Sequence, residues 1–277
     1  MAKTWFITGA SSGFGKELVN ALRSKGDNVV ATFRKEEQAT AFSQQHGKQG
    51  LGLVLDVTND AQIKSDIHQA FERFQQIDVL VNNAGYGTIG AIEEFSLEEI
   101  RAQMETNFFG AVAVTKEFLP HMRQQNGGHI VQISSQAGFR AAAGFGVYNA
   151  SKFALEGFSE ALAQEVAPFD IRVTIVQPGP FRTEFLGTSM KMAQQQIDAY
   201  QRTAVGNMYK YVESQNGKQE GDPHKAAQAI VDYVYSDSKA LRLPLGKAPL
   251  QAIRTKIAQV EADVKANEAI AVSTVYA

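Results

Sequence analysis

The chain has 277 residues, 44% hydrophobic and 20% charged, with 27 Lys+Arg against 29 Asp+Glu for a formal net charge of −2. That balance lacks the basic excess that phosphate backbones and anionic lipid heads select, so neither nucleic acid nor a membrane is an expected partner. The absence of cysteine excludes disulfides, zinc–thiolate sites, iron–sulfur clusters and thiol nucleophiles, and no metal site is suggested.

From Lys3 the chain enters the short apolar stretch Thr4–Ile7 and then a Gly-rich turn, without a longer apolar leader. No apolar run approaches the ~18 residues of a membrane span, so a cytoplasmic protein is expected. Short apolar runs alternate with amphipathic stretches, the pattern of strands and crossover helices around a parallel sheet. Strands are predicted at 4–8, 28–33, 50–55, 78–81, 129–134 and 171–176. Each is a continuous apolar run, as when helices cover both faces of the sheet. Helices are predicted at about 14–25, 35–46, 60–76, 97–125 and 148–167. Asn59-Asp60 gives one of them a start signal, and Ser96 with Glu99 forms a capping box for the next. Pro168 and Pro178 mark a helix end and a strand end. Beyond residue 180 the alternation fails. Residues 185–222, rich in Gln, Met and Tyr, are expected to form one or two loosely attached helices near the substrate. A helix at about 223–236, a strand near 241–243 and a helix around 248–268 follow. The expected architecture is α/β, a doubly wound parallel sheet in one domain spanning 1–277, with a small helical substrate-binding region toward the C-terminus.

Between the first strand and its helix lies Thr8-Gly9-Ala10-Ser11-Ser12-Gly13-Phe14-Gly15. A turn passing close beneath a pyrophosphate needs residues without a Cβ, and the following helix offers free N–H groups and the positive end of its dipole. Glycine-rich turns also serve structure alone, but this position favours phosphate binding through Gly9, Ser11, Ser12, Gly13, Phe14 and Gly15. An NAD site would place a carboxylate ~20 residues on, at the end of the second strand. Here Arg34 stands 19 residues beyond Gly15. A guanidinium suits a 2′-phosphate, which points to NADP(H). The plainer alternative is a solvated charge at a helix start. Asn82-Asn83-Ala84-Gly85 would face the Gly-rich turn across the switch point, although Asn and Gly also suit an ordinary turn.

Ser135 falls at the carboxyl end of the fifth strand, where ligands bind in open α/β sheets. Tyr148 and Lys152 are four apart at a helix start and share a face. A tyrosine with reference pKa ~10 is a poor acid–base at neutral pH. A neighbouring ammonium favours the phenolate, so the pair is suited to exchange a proton with a carbonyl oxygen that the Ser135 hydroxyl holds. Tyr235 and Lys239 repeat the spacing, but no strand-end serine precedes them, and that copy reads as a surface helix end.

In this order and spacing, Thr-Gly-x-x-x-Gly-x-Gly at 8–15, Asp56-Val57, Asn82 to Gly85, Asn107, Ser135, Tyr148-x-x-x-Lys152 and Pro178-Gly179 with Thr183 closely resemble the short-chain dehydrogenase/reductase family over residues 3–184. The resemblance is nearest to the branch that includes hydroxysteroid and retinol dehydrogenases. It implies a seven-stranded parallel sheet and an active tetrad of Asn107, Ser135, Tyr148 and Lys152. In that tetrad Tyr148 is the acid/base, Lys152 holds the nicotinamide ribose, and Asn107 supports a water-linked proton path. Asp56 and Val57 would flank the adenine; Asn83, Ala84, Gly85, Pro178, Gly179, Phe181 and Thr183 would also face the cofactor. The implied activity is NADP(H)-dependent hydride transfer between nicotinamide and a carbonyl or secondary alcohol. The alternatives are an NAD-preferring alcohol dehydrogenase and a non-catalytic NADP(H)-binding redox sensor. Phe139–Val147, Pro180–Phe185, Met190, Met192, Tyr200, Met208 and Tyr209 suggest an apolar pocket for a bulky small-molecule substrate. The long helices at 97–125 and 148–167 are expected to support a homodimer or tetramer.

Overall fold

Strands β1 (Thr4–Ile7), β2 (Asn28–Phe33), β3 (Gly50–Val54), β4 (Val79–Asn82), β6 (Gly128–Ile133), β7 (Ile171–Pro178) and β9 (Arg242–Leu245) build one seven-stranded sheet in the order β3-β2-β1-β4-β6-β7-β9, in a computed structural model that describes residues 2–276. Every pairing in it is parallel. Successive side chains of a strand point to opposite faces, and both faces here are buried. Trp5, Ile7, Val29 and Ala31 pack against α1 (Gly13–Lys25) and α8 (Pro223–Tyr235), together with Ala39 and Phe42 of α2 (Glu36–His46). Phe6, Val30 and Leu80 meet α3 (Asp60–Phe74), α5 (Gly110–Gln124) and α6 (Gly146–Val166) on the other face. Phe6 and Phe118 stack edge-on there, with ring centroids 5.0 Å apart. Strand order reverses between β1 and β4, so the loops at their carboxyl ends flank the switch-point crevice.

The capping signals do as expected. Asn59 Oδ1 accepts from the amides of Ala61 and Gln62, both at 3.1 Å, and Ser96 Oγ accepts from Glu99 N while the Glu99 carboxylate accepts from Ser96 N. Elsewhere the structure corrects the expectation. The single helix expected at 97–125 is α4 (Leu97–Met104), a π-helical turn at Glu105–Phe109, and α5. The final strand lies at Arg242–Leu245, and the last helix, α9, runs Lys247–Val272.

The segment after β7 is less purely helical than expected. Besides α7 (Ala204–Gln215) it holds β8 (Met190–Met192), which pairs in parallel with β5 (Gly87–Ile89), a strand of three residues. Phe181 and Gly221 form a bridge at the base of this segment. Arg182 N donates to Gly221 O at 2.9 Å and Gly221 N to Pro180 O at 3.2 Å.

Candidate active site

The turn between β1 and α1 is shaped by close approach. Gly9 and Gly13 adopt φ of +69° and +54°, a region L side chains rarely enter. A Cβ on Gly15 would lie 2.4 Å from Gly9 O and 2.7 Å from Asn83 Nδ2. Neighbouring strand ends brace the turn. Thr8 Oγ1 accepts from Asn83 N at 2.9 Å and Ala84 N at 3.0 Å, while Asn83 Nδ2 donates to the carbonyls of Thr8 and Gly9, both at 2.9 Å. Thr32 Oγ1 accepts from Gly9 N at 3.1 Å. The Asn83 side chain is thereby committed to holding the turn. Motif reading includes Thr8 without assigning its hydroxyl a role and misses Thr32, because both hydroxyls act across strands rather than along the chain. Ser12 precedes α1 with no side-chain cap, so the first amides of the helix face the cleft as an anion cradle.

Tyr148 and Lys152 lie on the first turns of α6 and are both buried. Lys152 Nζ donates to Ile133 O at 2.8 Å and sits 6.0 Å from the Tyr148 ring centroid. Ser135, just after β6, accepts from Ala137 N at 3.1 Å. Burial pushes the Tyr148 phenol up to about 12, opposed by its contact with the Ser135 hydroxyl. Burial also pulls the Lys152 ammonium down to about 8, opposed by the Glu156 carboxylate. The sequence leads one to expect Lys152 to depress the Tyr148 pKa; burial raises it instead, opposed by the Ser135 hydroxyl. The phenol stays protonated at neutral pH, as a proton donor to a carbonyl oxygen requires.

Asn107 stands in the π turn between α4 and α5, a type of distortion frequent at functional sites. Its Nδ2 donates to Tyr86 O at 2.9 Å and to Ser151 Oγ at 3.1 Å, and its Oδ1 accepts from Tyr86 N at 3.0 Å. Asn107 therefore fixes the loop after β4 against α6, behind the surface of the cleft.

A cleft of about 1000 Å³ joins these parts. Of the expected site residues, all line it except Gly15 and Asn107, which lie behind its wall. Arg34 is exposed on this lining. Asp56 lines it too, with Oδ1 accepting from Thr58 N at 2.9 Å and Thr58 Oγ1 at 2.8 Å. Phe14 and Phe181 meet edge-on at 5.1 Å beside the Gly-rich turn. Beyond Tyr148 the wall is apolar, formed by Phe145, Phe185, Leu186, Met208 and Tyr211, with Arg140, Glu184 and Lys191 among them.

Of the five Met and Tyr residues expected to line the pocket, only Met208 does. Met190 packs beside Gly87 and Phe185, and Met192 is exposed. Tyr200 and Tyr209 turn away to carboxylates: Tyr200 OH donates to Glu93 Oε2 at 2.7 Å and Tyr209 OH to Glu94 Oε2 at 2.6 Å. Glu94 Oε1 also accepts from Ile197 N at 2.9 Å, and Glu99 Oε1 from Gln194 N at 3.0 Å. Three acids on one short stretch therefore clasp the segment that covers the cleft. The second Tyr-x-x-x-Lys copy lies at the end of α8, where the Tyr235 hydroxyl donates to the Asp27 carboxylate at 2.6 Å, far from the cleft.

A parallel switch-point sheet, a glycine cradle, and a buried Tyr–Lys pair on one cleft define a nicotinamide-dependent oxidoreductase. Residues 3–194 match the family model described as short chain dehydrogenase, and the chain belongs to that family. It is 39% identical over 247 residues to Oxidoreductase BOA17 of Botryotinia fuckeliana, covering 89% of each chain. It is 42% identical over 193 residues to human retinol dehydrogenase 8, covering 67% of this chain and 61% of that one. A solved short-chain dehydrogenase from Streptomyces avermitilis superposes with a TM-score of 0.91 at 37% identity, covering 99% of this chain and 98% of that one.

Proposed function

We propose that the protein is an NADP(H)-dependent oxidoreductase acting between a carbonyl and its secondary alcohol, with Tyr148 as the general acid/base. The observation that carries this reading is the convergence of Ser135, Tyr148 and Lys152 on the same cleft as the Gly9–Gly15 turn. Gly9, Ser11, Ser12, Gly13 and the α1 amides would hold the pyrophosphate, and the cofactor supplies hydride chemistry when bound. Gly13 leaves the surface of the turn bare for a close-lying group, at a φ of +54° that L side chains rarely adopt. Ser135 would hold the substrate oxygen, Tyr148 would give it a proton in reduction or take one in oxidation, and Lys152 would hold a ribose hydroxyl. Asn107 acts by fixing the loop that carries Gly85 and Tyr86.

NADP(H) over NAD(H) rests on Arg34, an exposed guanidinium on the cleft lining where an NAD site would place a carboxylate. Structures of the same fold hold either nucleotide. One from Burkholderia cenocepacia, with a TM-score of 0.74 and 25% identity, is in complex with NADP. The apolar wall favours a bulky apolar substrate. A relative named 3-ketodihydrosphingosine reductase, from Bacteroides thetaiotaomicron and 48% identical over 65% of this chain, is consistent with that choice. The reading places the enzyme in the cytoplasm; among the described residues no helix is long and apolar enough to cross a membrane.

The test is titration with NADPH and NADH, followed by turnover of a panel of ketones and aldehydes by the wild type and Tyr148→Phe. Tighter NADPH binding, with turnover lost by roughly 10²-fold or more in the variant and binding retained, is expected. Near-wild-type turnover by Tyr148→Phe removes Tyr148 from the role.

A further inference from the structure

The last helix carries an apolar stripe that the rest of the fold leaves uncovered. α9 has 26 residues, but only its first turns rest on the body, where Pro249 and Ala252 are buried. From Ile257 onward every described residue is exposed, so roughly 24 Å of helix projects into solvent. An isolated helix of that length is marginal in water, and its stability comes from packing an amphipathic face. Leu250, Ile253, Ile257, Val260 and Val264 recur at alternating intervals of three and four, the seam spacing of a two-stranded coiled coil. Along it Ile257 is 52%, Val260 43% and Val264 65% exposed.

The charges at the positions flanking this seam are divided by sign: Arg254 and Lys256 lie along its first half, Glu261, Asp263 and Glu268 along its second, while Lys265 falls on the outer face of the helix. We propose that two copies of the chain pair through α9 in antiparallel orientation, about a two-fold axis crossing the seam between residues 258 and 259. Ile257 then meets Val260 of the second copy, and Ile253 meets Val264. Arg254 faces Glu261 of the second copy and Lys256 faces Asp263, each contact being made twice by symmetry. A parallel pair would keep only Lys256 opposite Glu261 as an attractive flanking contact and would set Asp263 against Glu268. A lipid surface fits less well: residues 257–272 carry three acids and one lysine, and anionic headgroups repel that balance. This interface is separate from α5 and α6 and leaves the cleft complete within one copy.

The experiment is sedimentation of the full chain over a range of concentrations. Pairing through α9 is expected, in addition to any association through α5 and α6. Arg254→Glu with Lys256→Glu, and separately Glu261→Lys with Asp263→Lys, should each raise the dimer dissociation constant at least about tenfold, because every flanking pair becomes like-charged. An equimolar mixture of the two double variants should dimerise again, since all four pairs are then opposite in sign. Asp263→Lys alone weakens an antiparallel pair and strengthens a parallel one. The proposal is overturned by a monomeric wild type, by a dimer indifferent to both double variants, by a mixture that fails to associate, or by a stronger Asp263→Lys dimer. A monomeric chain that sediments with phosphatidylcholine vesicles would assign the stripe to a bilayer instead.

Discussion

The Tyr209 hydroxyl donates a 2.6 Å hydrogen bond to Glu94 Oε2, joining residues 115 apart in sequence and pinning α7 over the cleft. Burial alone would raise the Glu94 pKa, but the hydrogen bonds from Ile197 N, Tyr209 OH and Ala91 N outweigh it and hold the carboxyl below its ordinary 4.5. Glu94→Gln should therefore cost about 1–3 kcal/mol in chemical denaturation. The charged form contributes stability that is present above pH 4.5 and is lost as pH falls through the lower folded value. The acid limb of the stability curve should accordingly be shallower in the variant. Amide exchange across 194–212 should accelerate and the substrate KM should rise, with NADPH affinity unchanged. If exchange there matches the wild type, the clasp is not what holds this segment.

Lys152 offers a prediction of opposite sign. Its folded pKa of about 8 lies below the ordinary 10.5, so the folded state disfavours the ammonium. That destabilisation is full below pH 8 and disappears as pH rises toward 10.5. Lys152→Met should thus be more stable than the wild type at pH 7 in the absence of cofactor, with the gap closing at high pH, and it should be inactive. Urea melts at pH 7 and pH 10 check this directly.

Arg34→Asp should weaken NADPH binding by roughly 10–100-fold, the loss of charge-assisted hydrogen bonds to a phosphate, and leave NADH binding unchanged or improved. Fluorescence titration with both nucleotides decides it. Equal NADPH affinity in variant and wild type would make Arg34 a solvated charge.

Gly15→Ala sets a methyl 2.4 Å from Gly9 O, where backbone rather than a flexible side chain must move. A destabilisation of about 1–3 kcal/mol is expected, together with weaker binding of both nucleotides. By contrast, a Cβ at Gly47 meets nothing within 4 Å, although its φ of +56° still carries strain. The two alanine variants should separate loss of nucleotide binding from simple loss of stability.

The glycine turn, Arg34, Ser135, Tyr148 and Lys152 could be read from sequence because each acts beside the end of a strand or along one helix face, so spacing encodes position. What escaped depends on contacts between remote segments. The Glu93–Tyr200, Glu94–Tyr209 and Glu99–Gln194 links leave no local periodicity, and their tyrosines looked like pocket residues. Gly87–Ile89 is too short to register as a strand without its partner Met190–Met192. The break at Glu105–Phe109 was hidden because a π turn interrupts the helix without a proline or glycine before Gly110. The rise of the Tyr148 pKa is invisible to local spacing for a related reason, since burial is set by the whole fold.

The bridge between Phe181 and Gly221 closes the excursion over the cleft at its neck, so the chain leaves β7 and enters α8 at nearly the same point. Closure cost grows only slowly with loop length. β7 and α8 are thus insulated from what is inserted between them. Residues 184–220 are expected to tolerate exchange as a unit: a shorter or longer version grafted beyond Thr183 should leave the nucleotide half its geometry. On the proposed reading, substrate preference should shift when this one contiguous stretch is rewritten, provided the replacement brings its own partners for Glu93, Glu94 and Glu99.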